Sequence, residues 1–340
     1  MANREFVEAI LTEAKRYSGD MPPLKTIYFG GGTPSMLGAP LLTMLCAGLA
    51  EQFNIENVSE WTLEANPATF DLKKATTMRE LGVTRISLGV QSFQPSVLHT
   101  LGRDHSSADA IQAYQILREA GFENVSIDLM FSIPGQATAL WQADLEQAVA
   151  LRPNHISAYN LTYEEDTEFL TKHESGELDA NEDRDADLFY QAIDTLETDG
   201  YGHYEISNYS LPGFESQHNR GYWSGSDYLG LGPGAVSTIA GQRWKTLPDT
   251  AAYVRAAAAG LDTRTDIELL TDEDRRIERI ALQLRTREGI STGLVPPPTP
   301  VGHRPVESLI EQGLVEEHDG RITLTRHGKA LADPIAAALI

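Results

Sequence analysis

The sequence predicts an α/β fold: a partial TIM-type (β/α) barrel, then an irregular segment, then a C-terminal winged-helix-like domain. Three observations carry this. The first is alternation. The strand-like runs "KTIYFGG", "EWTLEAN", "TRISLGVQSF", "NVSIDLMFSIPG" and "HISAYNLTY" are each followed by one helix-like run, and "HYEISNYS" reads as a final strand. Single helices between strands argue for parallel βαβ units, and Gly82 and Gly121 fall where helices should stop. The second is where the polar residues gather. Gly30 to Thr33, Glu64 with Asn66, Gln91 with Ser92, Asp128, and Asn160 with Thr162 sit at the carboxyl ends of successive strands. A barrel builds its site from all of these ends, whereas an open sheet concentrates contacts at one switch point. The third is the ending, "VESLIEQGLVEEHDGRITLTRHGKALADPIAAAL", which reads helix, hairpin, helix.

These features divide the chain into a barrel core over 1–210, a segment over 211–264 rich in Gly, Ser and aromatic residues, and a C-terminal domain over 265–340. The chain reads as helical again from about Thr265, and "PPPTP" at 296–300 reads as a linker or turn. A wing that reads DNA should be basic. From Thr265 onward there are 9 Lys and Arg against 13 Asp and Glu, so the wing is expected to pack on protein.

Over 340 residues the net charge is −22, from 49 acidic and 27 basic residues, which repels a phosphate backbone and makes nucleic acid an unexpected partner. No apolar run reaches the roughly 20 residues that span a bilayer. The amphipathic start "MANREFVEAILTEAKRY" lacks the features of a secretion signal. The expectation is a cytoplasmic protein that is not integral to a membrane. One cysteine, Cys46, lies in the apolar helical run "LLTMLCAGLAEQF", so no disulfide within the chain and no multi-cysteine metal site can form.

"TIYFGGGTPSM" ends a strand on three glycines. Glycines there expose backbone N–H groups to a ligand. No Lys follows as in a phosphate loop, and the dinucleotide spacing is absent. An amino-acid carboxylate or ammonium group suits such a backbone better than phosphate. The elements "FGGGTPS", "LEANP", "RISLGVQSF", "LGRDH" and "IDLMFSIPGQ", in this order, resemble the radical SAM family that contains oxygen-independent coproporphyrinogen III oxidase. "YEISNYSLPGFESQHNRGYWSGSDYLGLGPGAVS", with its H-N-x-x-Y-W element, and "LRTREGIS" narrow the resemblance to the heme chaperone HemW branch, over essentially the whole chain.

That resemblance implies S-adenosylmethionine as a cofactor. Gly31, Gly32 and Thr33 would hold its methionine part, and Glu64 its amino or ribose groups. Gln91 and Asp128 would meet hydroxyls, Arg103 the carboxylate, and Thr162 a further part. Taken singly, Glu64 and Asp128 read equally well as a helix cap or a loop acceptor, and Arg103 as a partner of the acidic surface. Together, at successive strand ends, the ligand reading leads. Ser132 stands where the family tends to have Gly, which would narrow the backbone approach.

The resemblance also implies a 4Fe–4S cluster on three cysteines spaced C-x₃-C-x₂-C, in a loop after the first barrel strand. This sequence begins in the helix that follows that loop, so the barrel is expected to lack its first strand and the chain to be N-terminally truncated. A real loss is the other explanation. It is disfavoured because an opened barrel exposes an apolar strand edge. Radical catalysis is not expected of the chain as written. The branch further implies heme and a heme-acceptor protein, membrane or respiratory, as partners. His218, Asn219, Tyr222 and Trp223 are the candidate heme residues, since imidazole ligates iron and aromatic rings cover porphyrin faces. The bland alternative is that His218 and Asn219 only pin a loop. His99, His105, His155 and His173 carry no metal spacing and read as surface or helix residues. The rival activity is that of oxygen-independent coproporphyrinogen III oxidase. A winged-helix regulator on a decayed barrel is the rival binding module.

Overall fold

The computed structural model describes residues 3–19, 21–161, 181–296 and 305–340. Thr162, His173 and most of the proline run at 296–300 lie outside the described residues. The chain forms two compact units: Phe29–Met36 with Thr62–Glu215, and Met1–Tyr28 with Leu37–Trp61 and Ser216–Ile340.

A seven-stranded sheet holds β1 (Thr26–Phe29), β2 (Glu60–Ala65), β3 (Arg85–Gln91), β4 (Asn124–Phe131), β5 (His155–Asn160), β6 (Gly202–Glu205) and β7 (Asn208–Ser210). Its order is β1-β2-β3-β4-β5-β7-β6. The run β2 to β5 is parallel, and the sheet curls into a half-barrel. Every second residue of these strands is apolar and buried: Leu63, Ile86, Leu88, Val125, Ile127, Leu129 and Ile156 are at most 0% exposed. They pack under helices such as Thr138–Leu151 and Glu182–Thr198. The alternate residues are polar, and they define the other, inner face.

"HYEISNYS" is not one strand. The Glu205 carboxylate accepts the Ser207 N–H at 3.3 Å and the Asn208 amide, folding the run into the antiparallel pair β6–β7. β7 in turn runs antiparallel to β5.

In the other unit, the segment read as irregular contains helix Gln217–Trp223, strands β8 (Val236–Ile239) and β9 (Gln242–Thr246), and helix Thr250–Ala258. The residues from 264 begin as a strand, β10 (Arg264–Leu269), paired antiparallel with β9. The helix starts only at Asp272, behind a Thr271/Asp274 capping box. The glycine run is pinned from helix Asn3–Ala14: buried Glu13 accepts the Gly232 N–H at 2.8 Å, the Tyr253 hydroxyl at 2.6 Å and the Thr263 hydroxyl at 3.0 Å. Gly230 is required there, because an added Cβ would lie 2.3 Å from the Val236 carbonyl oxygen.

At the C-terminus, β11 (Ile290–Ser291), β12 (Val315–His318) and β13 (Arg321–Leu324) form a small sheet with helices Pro305–Glu311 and Ala332–Leu339. This is the helix, hairpin, helix order expected of a winged helix. Cys46 is buried on helix Ala39–Gln52. No described helix is long and apolar enough to cross a membrane.

Candidate functional site

The loop after β1 has its backbone open to an approaching molecule. Gly31 has φ +75°, and a Cβ added at Gly31 or Gly32 meets no heavy atom within 4 Å. The Thr33 carbonyl accepts the Met36 N–H at 2.9 Å, closing a 3₁₀ turn over Pro34–Met36. Ser35, fully buried, accepts the Asn66 N–H at 3.1 Å and the Thr69 hydroxyl at 2.6 Å. That ties the glycine loop to the loop after β2, two residues from Glu64.

The end of β3 is the most constrained part of the site. Gln91 adopts φ +66°, a left-handed conformation unusual for a side-chain-bearing residue. Gly89 was missed by the sequence reading, and close approach explains it. A Cβ there would lie 3.2 Å from Gln91 Nε2, 3.6 Å from the Ala65 carbonyl and 3.6 Å from Arg103 Nη2. Arg103 Nη2 donates to the Gly89 carbonyl at 3.1 Å, while its Nε is buried with no partner. The turn that follows is fixed by Asp144, fully buried on helix Thr138–Leu151. Asp144 accepts the Ser92 hydroxyl at 2.6 Å, the Phe93 N–H at 2.7 Å and Gln94 Nε2 at 3.2 Å. Burial raises its carboxyl above the usual range, and these three bonds oppose the shift.

Asp128 is not at a strand end. It lies inside β4, three residues before Phe131, and its register partner on β5 is Ser157. It accepts the Ser87 hydroxyl at 2.8 Å and the Ser126 hydroxyl at 2.9 Å. Burial raises its carboxyl; hydrogen bonds from the serines and the Arg85 charge oppose the rise. Nor is His155 a surface or helix residue. It is fully buried on β5, with Nδ1 2.8 Å from Ser126 Oγ and Nε2 2.8 Å from the Tyr204 hydroxyl. Because Ser126 donates to Asp128, the chain runs from Tyr204 O–H to Nε2 and from Nδ1–H to Ser126. Burial, with Arg85 nearby, drives the imidazole well below its usual range, so it is neutral. His105 is also buried, its Nε2 3.0 Å from the Val90 carbonyl. The signal for these residues was present in the alternation Arg85-Ser87-Gly89-Gln91, Ser126-Asp128 and His155-Ser157, a polar period of two on one face.

The structure thus brings Gly31, Gly32, Thr33, Glu64, Gln91, Arg103 and Asp128 into one unit. They offer exposed backbone, a cation and several acceptors. A buried, unpartnered Arg103 Nε and an open glycine cradle fit a zwitterion bearing a ribose, such as S-adenosylmethionine. The residues do not fit a 4Fe–4S cluster. The chain's one cysteine is 3% exposed, burial pushes its thiol up to about 12, and no group of three or more His, Cys, Asp or Glu among the described residues could hold a metal ion.

The candidate heme residues lie in the other unit, on helix Gln217–Trp223. His218 and Tyr222 share one face at i, i+4, and Asn219 and Trp223 another. Glu60, 3% exposed at the start of β2, aims its carboxylate at the helix start. It accepts the Gln217 and His218 N–H groups at 3.0 Å each and the Ser216 hydroxyl at 3.3 Å. The Asn219 N–H donates to Ser216 Oγ at 3.3 Å. The His218 ring stacks on Tyr28 with centroids 4.8 Å apart and meets Tyr222 edge-on at 4.8 Å, and Tyr222 meets Tyr228 at 4.7 Å. Nδ1 of His218 lies 2.9 Å from the Thr26 hydroxyl. The Trp223 indole N–H is buried without a partner, while Tyr222 is 40% exposed.

Comparison with known proteins adds five findings. Residues 3–145 match the model of the Radical SAM superfamily, and residues 270–331 that of the HemN C-terminal domain. The chain is 37% identical over 286 residues to the heme chaperone HemW of Lactococcus lactis, covering 84% of this chain and 74% of that protein. It is 32% identical to the heme chaperone HemW of Bacillus subtilis, covering 94% and 86% respectively. Coproporphyrinogen III oxidase (HemN) from Escherichia coli superposes with a TM-score of 0.82 at 20% identity, covering 98% of this chain and 82% of that one, a likeness of fold.

Proposed function

The chain belongs to the HemW family of heme chaperones within the radical SAM superfamily, and on that premise we propose that it binds heme and hands it to an acceptor protein. The observation that carries the reading is the ring cluster Tyr28–His218–Tyr222–Tyr228, held from below by Glu60. A porphyrin needs broad apolar and aromatic contact together with an axial donor. His218 is the axial donor in this reading. With Nδ1 engaged by Thr26, ligation runs through Nε2, and the Thr26 hydroxyl orients the ring as outer partners of metal-bound histidines do. Tyr222, on the same helix face, supplies a ring against the macrocycle.

S-adenosylmethionine is the small molecule proposed for Gly31, Gly32, Thr33, Glu64, Gln91, Arg103 and Asp128, with Thr162 as the further family contact. When bound it supplies a sulfonium centre. Arg103 takes its carboxylate, the glycine backbone its methionine part, and the acidic residues its amino and hydroxyl groups. No radical step is assigned to this chain, because its own residues cannot hold the cluster such a step requires.

Hemin titration tests the heme reading. The chain is expected to bind hemin with a shifted Soret band. His218→Ala is expected to weaken binding by at least about tenfold, about 1.4 kcal/mol, and to move the band. Far-ultraviolet circular dichroism checks that the variant is folded. Unchanged affinity and an unchanged Soret band would overturn His218 as the ligand.

A further inference from the structure

The inner face of the sheet carries one charge that neither ligand reading uses. Arg85, the first residue of β3, is 2% exposed. It makes no hydrogen bond and no ion pair with any described residue, and its Nε is buried. A guanidinium presents five N–H donors and does not lose its charge, so burying one without a contact partner is strongly unfavourable. Asp128 lies within reach of its field, but that carboxylate is taken by the Ser87 and Ser126 hydroxyls.

The sheet register places two more unsatisfied groups beside it. Thr62 is the partner of Arg85 across β2–β3, and Asn124 across β3–β4. Thr62 Oγ1 and Asn124 Oδ1 are likewise buried without a partner. Three neighbouring strands therefore set a hydroxyl, a cationic fork and an amide on one rung. Folded proteins leave few buried polar groups unsatisfied, and three together on one rung indicate a ligand.

The chemistry of the rung narrows the ligand. A guanidinium fork matches a planar two-oxygen anion in bidentate fashion. One cation is present, and the Asp128 carboxylate on the same inner face opposes a second negative charge, so a monoanion suits it better than a phosphate dianion. The carboxylate of S-adenosylmethionine is not the occupant. Its partner, Arg103, bonds Gly89, four residues further along β3, roughly 13 Å away at 3.3 Å per residue. We propose that Thr62, Arg85 and Asn124 form a carboxylate-binding site on the inner face of the half-barrel, which takes a carboxylate-bearing ligand other than S-adenosylmethionine. Arg85 grips both oxygens, Thr62 donates its hydroxyl, and Asn124 turns its amide NH₂ toward the anion.

Thermal unfolding of the full chain in sodium formate and sodium acetate, against sodium chloride at matched ionic strength, tests the site. Wild type is expected to show a saturable rise in melting temperature with the carboxylates and none with chloride. Arg85→Met removes the guanidinium fork and is expected to lose the response. Arg85→Lys keeps the charge but not the fork, and is expected to respond more weakly. S-adenosylmethionine binding, read by calorimetry, is expected to persist in Arg85→Met. The site is overturned by any of three results: no carboxylate response in wild type, equal responses in wild type and Arg85→Met, or displacement of acetate by S-adenosylmethionine.

Discussion

The two candidate sites are built from opposite materials. The one at the ends of β1, β2 and β3 is largely backbone: two open glycines, a left-handed Gln91 and a carbonyl at Gly89 that holds Arg103. The one on helix Gln217–Trp223 is made of side chains: His218 between Tyr28 and Tyr222. Yet each rests on one buried carboxylate from another element, Asp144 in the first case and Glu60 in the second. A backbone site needs its conformation held, so Asp144 fixes a turn. A side-chain site needs its platform held, so Glu60 fixes a helix start. Removing either carboxylate therefore tests which kind of support matters more.

Asp144→Ala carries the largest expected effect. It strips partners from the buried Ser92 hydroxyl and Phe93 N–H, and is expected to lower stability by about 3 kcal/mol in urea unfolding. It is also expected to weaken S-adenosylmethionine binding, since the turn after Gln91 is released. Glu60→Ala should cost less, about 2 kcal/mol, because the helix-start N–H groups it leaves are closer to water. It is expected to reduce hemin binding while leaving S-adenosylmethionine binding unchanged. If both variants impaired both ligands, the two supports would not be separate.

How far the sequence revealed these sites follows the same division. Backbone sites write themselves into the chain as glycine: "FGGGTPS" was legible because three glycines after a strand have few other uses. The βα rhythm and the terminal helix, hairpin, helix pattern were legible for a similar reason, since local period and turn residues encode them. The aromatic site was legible only as the string "HNRGYW". Its partners Thr26, Tyr28 and Glu60 lie more than 150 residues away, and only tertiary structure joins them. Asp128 was placed at a strand end because polarity was read as marking the end of a strand. In fact the inner face of this sheet is polar along its length, so a polar residue can sit mid-strand. His155 was read as a surface or helix residue for want of metal spacing, and its place on the polar inner face was likewise missed.

His155 provides the next test, through pH. Its folded pKa lies well below that of the unfolded chain, so as pH falls through about 6.5 the unfolded state binds a proton that the native state does not. Stability from this group is thus full above that value and is lost as the pH falls, by up to about 1.4 kcal/mol per pH unit. Asp128 and Asp144, whose carboxyls are raised, act in the opposite sense: they favour the native state as they become protonated. The comparison of wild type with His155→Gln isolates the histidine. Between pH 7 and pH 5 the variant should lose less stability than wild type. Parallel curves would show that His155 is protonated in the native state.

The smallest effect bears on the backbone-built site alone. Ser132 has φ +62°, is 4% exposed, and its hydroxyl has no partner. The left-handed conformation explains why glycine suits this position better than the narrowed approach first expected from the Ser side chain. A non-glycine residue held there is strained by roughly 1–2 kcal/mol, and a buried unpaired hydroxyl adds to that. Glycine would relieve both but would gain freedom in the unfolded chain, which offsets roughly 0.5–1 kcal/mol. The balance favours Ser132→Gly, with an expected gain of about 1 kcal/mol in urea unfolding. An equal change at the exposed first residue of helix Gln217–Trp223, Gln217→Gly, should instead destabilise, because it gives up helix propensity and the bond that Gln217 Oε1 accepts from the Ser59 hydroxyl at 2.6 Å. If Ser132→Gly also lost stability, the Ser132 hydroxyl would be bonded in the folded protein. The left-handed turn after β4 would then be held by a side chain, as helix Gln217–Trp223 is, and the contrast between the two sites would fail at that point.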